Sequence, residues 1–148
     1  MKRNANYKSD ILVGMQMVCI FLLVVRIPAI KSDLWVFFVS LLGFILGFWA
    51  VVTMKLDNLS IAPDVRQNAK LVTAGPYKLI RHPMYSAVLL IFLPFVIDSP
   101  SAYFIVVFMA LLITLLIKLN YEEQLLRNHF EDYATYSKNS WKLIPFIY

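Results

Sequence analysis

The sequence predicts an all-α, polytopic membrane protein. Four transmembrane helices are expected, the last two forming a helical hairpin, followed by a cytosolic C-terminal helix, all in one domain spanning 1–148. Three observations predict this. First, 60% of the 148 residues are hydrophobic and only 16% charged, with a mean hydropathy of +0.69; soluble chains are about half apolar and about a quarter charged. Second, the apolar residues gather in four runs, and a bilayer crossing requires about 20 such residues. Third, Lys and Arg are segregated. Twelve lie in the N-terminus, the loop after the second run and the tail, two lie in the loop after the first run, and the turn after the third has none. Basic residues accumulate on the cytoplasmic side, so both termini and the long loop are expected there.

Taken in order, Met1–Asp10 is basic and polar. The run behind it lacks a small-residue cleavage pattern, so it reads as a first span, about 11–30, and not as a removed signal peptide. Its core, Ile11–Val25, is apolar apart from Gln16, and Arg26 and Pro28 mark its end. Cys19 is the single cysteine, which excludes an intrachain disulfide. The second span, Leu34–Met54, carries Gly43 and Gly47 four residues apart, a spacing that lets helices approach closely. Lys55–Arg81 is the longest polar stretch, divided by Pro63, Asn68 and Gly75-Pro76, with room for a short helix over Val65–Leu71. Its mixture of apolar and charged residues argues for an ordered, functional loop.

The third run, Tyr85–Ile97, is short. Counted from Pro83 it reaches about 22 Å at helical rise, less than the roughly 30 Å of hydrocarbon, and Pro94 interrupts it. Asp98–Ser101 is a turn, and Ala102–Leu119 returns at full length. A hairpin of these two runs places Glu122 and Glu123 near Arg81 and His82. The tail from Tyr121 continues as a charged helix with Leu125, Leu126 and Phe130 on one stripe. It ends in Trp141–Tyr148, an aromatic interfacial segment.

The densest polar cluster is 75–87. It opens on a turn dipeptide, Gly75-Pro76. Pro83 suits the first helical position, which makes His82 the N-cap. Free N–H groups there, with Arg81, favour an anion. Glu122 and Glu123 favour a cation or hydroxyl donors, and the rings of Tyr77, Tyr85, Tyr121, Tyr133 and Tyr136 attract a cation. Such a set suits a ligand zwitterionic at one end and cationic near its reacting atom. The alternative is a plain membrane turn with a snorkelling Arg and solvated acids. Two distant histidines and one cysteine argue against a metal site. No dinucleotide-binding glycine motif and no nucleophile setting is present. The net charge of +5 records orientation in the membrane and does not point to nucleic acid.

Leu71-Val-Thr-Ala-Gly-Pro-Tyr-Lys-Leu-Ile-Arg-His-Pro-Met-Tyr85 resembles the signature of the isoprenylcysteine carboxyl methyltransferase family and its phospholipid methyltransferase relatives. Glu122-Glu123, Leu125-Leu126, Phe130, Tyr133, Tyr136 and Leu143-Ile-Pro-Phe146 follow that family's C-terminal order. The resemblance implies an integral membrane methyltransferase using S-adenosyl-L-methionine in a cytosol-facing pocket made by the hairpin and the tail. Carried over by position, Leu71, Val72, Gly75, Tyr77, Arg81, His82, Pro83, Tyr85, Glu122 and Glu123 would bind the cofactor, with Arg81, Glu122 and Glu123 nearest the chemistry. The implied partner is a lipophilic small molecule or lipid reached from the bilayer. Ala87 stands where the family often has Gly, and one residue is missing between Phe130 and Tyr133. Asn139-Ser140-Trp141 replaces a common Arg-Val-Pro, which weighs against a prenylcysteine carboxylate as acceptor. Membrane sterol reductases share Arg-His-Pro-x-Tyr, so an NADPH-dependent reductase is one alternative, although the chain offers few basic residues for a 2′-phosphate. A non-catalytic protein of the same fold is another.

Overall fold

Helices account for the regular elements of the computed structural model, which describes residues 7–27, 32–54 and 70–148. Helix α1 spans Tyr7–Arg26 and α2 spans Leu34–Met54. A 3-10 turn at Gly75–Lys78 precedes α3, Pro83–Asp98. Helix α4 runs from Ala102 to His129 and α5 from Tyr133 to Lys138. The second and third spans have the expected bounds to within a residue. Helix α1 starts a turn earlier than Ile11, with Asp10 in its first turn, where a negative charge complements the free N–H groups. Its expected end at Ile30, and 65–69 of the short helix expected over Val65–Leu71, lie outside the described residues; Leu71 itself is not helical. The tail helix is not continuous. Helix α4 carries through Glu122 and Glu123 but stops where Phe130 turns extended, and α5 is separate.

Three helices, α1, α2 and α4, are long and apolar enough to cross a membrane. At 16 residues α3 is shorter, for the reason already visible in the distance from Pro83 to Asp98. Large apolar side chains face outward along α1 and α2, among them Phe21, Phe37, Phe44 and Phe48. A surface of that kind is matched by lipid and not by water.

The two runs expected to pair with each other divide their packing: α3 lies chiefly on α2, α4 chiefly on α1, and α3 meets α4 less extensively. The core joins Cys19 and Leu23 of α1 to Phe92 of α3 and Phe108, Leu111 and Leu115 of α4. The α2–α3 contact is close because Gly43 has no side chain. A Cβ there would stand 2.9 Å from the Ile91 backbone nitrogen and 3.1 Å from the Ala87 carbonyl oxygen. One turn away, the Ser40 hydroxyl donates to the Ile91 carbonyl at 2.9 Å, satisfying a polar group that lipid would not. At the opposite end from the acids, the Tyr103 hydroxyl donates to Leu22 O at 2.9 Å and Arg26 sits 5.0 Å over the Tyr103 ring, tying α1 to α4.

These contacts order three glycine substitutions. Gly43→Ala is expected to cost about 1–3 kcal/mol by overpacking against backbone that cannot yield. Gly47→Ala, whose Cβ would meet only the Ala87 Cβ at 3.3 Å, costs less, and Gly14→Ala, with nothing within 4 Å, costs nothing measurable. Thermal unfolding in detergent, read as the order of midpoints, checks this ranking.

Candidate functional site

The site is assembled on the segment between Gly75 and Ser86. Gly75 adopts φ +56°, a left-handed conformation open to glycine at little cost. A Cβ here would lie 2.7 Å from Thr53 Oγ1 and 3.2 Å from Trp49 Nε1, so this residue seats the turn on the end of α2. The turn closes through Tyr77 N–H to Ala74 O at 3.1 Å and Ile80 N–H to Pro76 O at 3.0 Å. The chain then runs alongside the tail. Trp141 N–H donates to Leu79 O at 2.9 Å, Arg81 N–H to Trp141 O at 2.7 Å and His82 N–H to Lys142 O at 3.1 Å, a parallel bridge between Ile80 and Trp141. The Ser86 hydroxyl adds a bond to Leu143 O at 2.6 Å. The N–H groups of Arg81 and His82 are therefore used to dock the C-terminal segment, so of the N–H groups expected to be free for an anion at the α3 N-terminus that of His82 is taken. His82 is the N-cap of α3 as expected, but by its carbonyl, which accepts from Tyr85 and Ser86, and not by its ring.

Side chains complete the join. Arg81 Nε donates to Glu123 Oε1 at 2.7 Å, with side-chain exposures of only 7% and 6%. Its Nη1 donates to Ser137 O at 2.9 Å, to Ser140 O and to Ser140 Oγ. One guanidinium thus ties α3, α4 and the tail together. A charge pair this buried holds only when its remaining hydrogen-bonding capacity is met, and the two serine carbonyls meet it.

Glu122 has a different setting. Its side chain is 27% exposed, its Oε2 accepts from the Tyr85 hydroxyl at 2.7 Å, and His82 Nδ1 lies 3.6 Å away. The His82 ring stacks on Tyr85, 5.4 Å between centres and 5° from parallel. His82 Nε2 lies 3.4 Å from Glu123 Oε1 without the alignment of a hydrogen bond. The twin acids are divided: Glu123 is committed to Arg81, Glu122 faces outward.

Around them stand buried phenols. Tyr77 and Tyr133 are 4% and 1% exposed, and their hydroxyls, like His82 Nε2, have no hydrogen-bond partner among the described residues. Tyr136 donates to Tyr77 O at 2.6 Å. Burial pushes the hydroxyls of Tyr77 and Tyr133 well above the usual range, with the charges of Glu122 and Glu123 respectively adding to it. Burial pushes Tyr136 up to about 12. All three are neutral donors at physiological pH. The Tyr133 hydroxyl and His82 Nε2 lie against Glu123, whereas the Tyr77 hydroxyl is left for a ligand to satisfy, since buried polar groups are otherwise paired.

The structure brings together Tyr77, Arg81, His82, Tyr85, Glu122 and Glu123. Pro83 is buried at the first position of α3 and Gly75 is turned toward α2. Leu71 and Val72 are half-buried in the irregular lead-in to the turn, and Tyr121 is half-buried on α4. Two residues escaped the sequence reading as part of this neighbourhood. Lys118 Nζ donates to Gln16 Oε1 at 2.8 Å and stands 5.3 Å over the Tyr85 ring. The available signal was that Gln16 interrupts one apolar run and Lys118 lies at the end of another.

A protein-family model described as phospholipid methyltransferase matches residues 35–133, more than half of the chain. The match takes in α2, the turn, α3, α4 and both acids. No curated protein matches the chain.

Removing the guanidinium in Arg81→Met leaves Glu123 buried without its counter-charge. The expected loss is about 3–5 kcal/mol, with the segment after Lys138 released to protease and Trp141 fluorescence shifted. Arg127→Ala removes a 3.7 Å contact to Glu123 from a side chain that is 59% exposed, and is expected to cost about 1 kcal/mol or less. Chemical unfolding of both variants separates the two interactions.

Proposed function

The chain belongs to the phospholipid methyltransferase family, and from that premise we propose that it methylates a lipophilic, membrane-embedded acceptor with S-adenosyl-L-methionine as donor. The observation that carries this reading is the division of the two acids. Glu123 is locked to Arg81, while Glu122 is half-open, oriented by Tyr85 and flanked by the buried, unpartnered hydroxyl of Tyr77.

The residues fit the donor group by group. Glu122 is suited to its ribose hydroxyls or amino group, as a charged acceptor of hydrogen bonds. Arg81 is committed to Glu123 and the tail, so the carboxylate of the donor is left to the His82 ring and the neutral phenol hydroxyls around it. The face of Tyr77 suits a cation, and its unpaired hydroxyl offers a hydrogen bond to the donor's polar atoms. When bound, S-adenosyl-L-methionine supplies an electrophilic methyl group on a positively charged sulfur. The protein's task is alignment and exclusion of water. The tail, pinned by Arg81 and by the backbone bonds at Trp141 and Lys142, forms a wall on one side.

A carboxylate acceptor requires no base. An amine acceptor must lose a proton, and Glu122, the acid not committed to an arginine, is the group placed to take it. The neutral phenols position and do not abstract. The segregation of Lys and Arg supports a cytosolic location for this chemistry and for both termini. The acceptor's apolar part would approach from the bilayer.

Calorimetric titration of the purified protein with S-adenosyl-L-methionine tests the reading. The protein is expected to bind, and Glu122→Gln to bind about ten- to a hundredfold more weakly, corresponding to a hydrogen bond to a charged group of about 1.5–3 kcal/mol. Equal affinity would remove Glu122 from the donor site. No binding by the unsubstituted protein would remove the donor.

A further inference from the structure

Gln16 interrupts the apolar part of α1 and Lys118 lies at the end of the apolar part of α4, and the chemistry above uses neither. Lys118 is 3% exposed, and its ammonium has the Gln16 amide oxygen at 2.8 Å as its hydrogen-bond partner. A buried ammonium with one neutral hydrogen-bond partner is poorly compensated, and the acid in whose field it already stands is Glu122. The nearest acid along α4 on the same helical face is Glu122, four residues on. Tyr85 links the two: its ring lies 5.3 Å from the ammonium and its hydroxyl donates to Glu122 at 2.7 Å. A continuous chain of contacts therefore runs from α1 to the acid, Gln16 to Lys118 to Tyr85 to Glu122. Its first member lies outside the stretch that the family model matches.

We propose that Gln16 and Lys118 are positioning residues for donor binding, with Gln16 holding the ammonium against Tyr85 and off Glu122. This rests on the reading of Glu122 as a donor-binding acid. Lysine's stem is long and flexible, and its ammonium is a compact charge that seeks the nearest anion. Released from Gln16, it turns toward Glu122. At low dielectric an attraction of this kind is strong, and it occupies the oxygens that the donor requires. Helix α1 is then a working part of the site as well as a membrane anchor, although it contributes no residue that touches the donor.

The test uses the full chain in lipid nanodiscs and S-adenosylhomocysteine, which binds without reacting, measured by calorimetry. Gln16→Leu is expected to weaken binding about tenfold while leaving helical content and the thermal midpoint unchanged, because it makes a spanning helix more apolar. Gln16→Glu, which still holds the ammonium, is expected to bind as the unsubstituted protein does. In a Lys118→Met background Gln16→Leu is expected to have no further effect, the mark of coupling between the two. Undiminished affinity in Gln16→Leu overturns the inference and leaves the donor site standing. A loss of affinity that tracks a fall in midpoint, without rescue by Gln16→Glu, also overturns it, in favour of simple packing. No binding by the unsubstituted protein sinks the donor reading, and this inference with it.

Discussion

The Arg81–Glu123 contact is the constraint on which the rest depends. Two opposite charges, forty-two positions apart in the chain, meet at 2.7 Å with almost no exposure. Neither tolerates that environment alone. The pair forces the start of α3 and the end of the apolar part of α4 to the same level, and Arg81 then recruits the carbonyls of Ser137 and Ser140. A C-terminal segment that would otherwise lie free on the membrane surface becomes one side of the site. The buried pair is less a source of net stability than a specification of which three segments meet.

The same pair decides the roles of the two acids. Adjacent residues on a helix point about 100° apart, so Glu123 turns into the α3–tail junction while Glu122 turns outward beside Tyr85. One acid builds the frame and the other stays half-open beside Tyr85. The buried phenols reinforce the division. Kept neutral by burial, they add no negative charge beside Glu122.

Much of this was legible in the sequence, and the reasons are specific. The bounds of α2 and α3 follow from apolar runs ended by Asp33, Lys55, Pro83 and Ser99-Pro100. The approach of Arg81 to Glu123 follows from a short run and a tight turn, because a chain that leaves and returns must come back to the same level. The tail's docking was not legible. It is made by backbone bonds at Leu79, Arg81, His82, Trp141 and Lys142, and backbone groups carry no residue-type signal. For that reason Arg81 and the α3 N-terminus read as open to an anion, while the His82 N–H is engaged by Lys142 O and the Arg81 guanidinium by Glu123 and two serine carbonyls. Gly75 read as a ligand residue, while its lack of a side chain is explained by Thr53 and Trp49. Gln16 and Lys118 were visible singly, one within an apolar run and one at the end of another. Their pairing depends on α1 packing against α4, which no local pattern states.

The central claim is that the cluster around Glu122 moves a methyl group onto a lipid. Its most direct test is mass spectrometry of a native membrane lipid extract incubated with the purified protein and deuteromethyl-labelled S-adenosyl-L-methionine. The account predicts a lipid-soluble species that gains the deuterated methyl group, absent when Glu122→Gln replaces the unsubstituted protein. Label that stays wholly in the donor, with a folded protein and every lipid class of the membrane present, would contradict it.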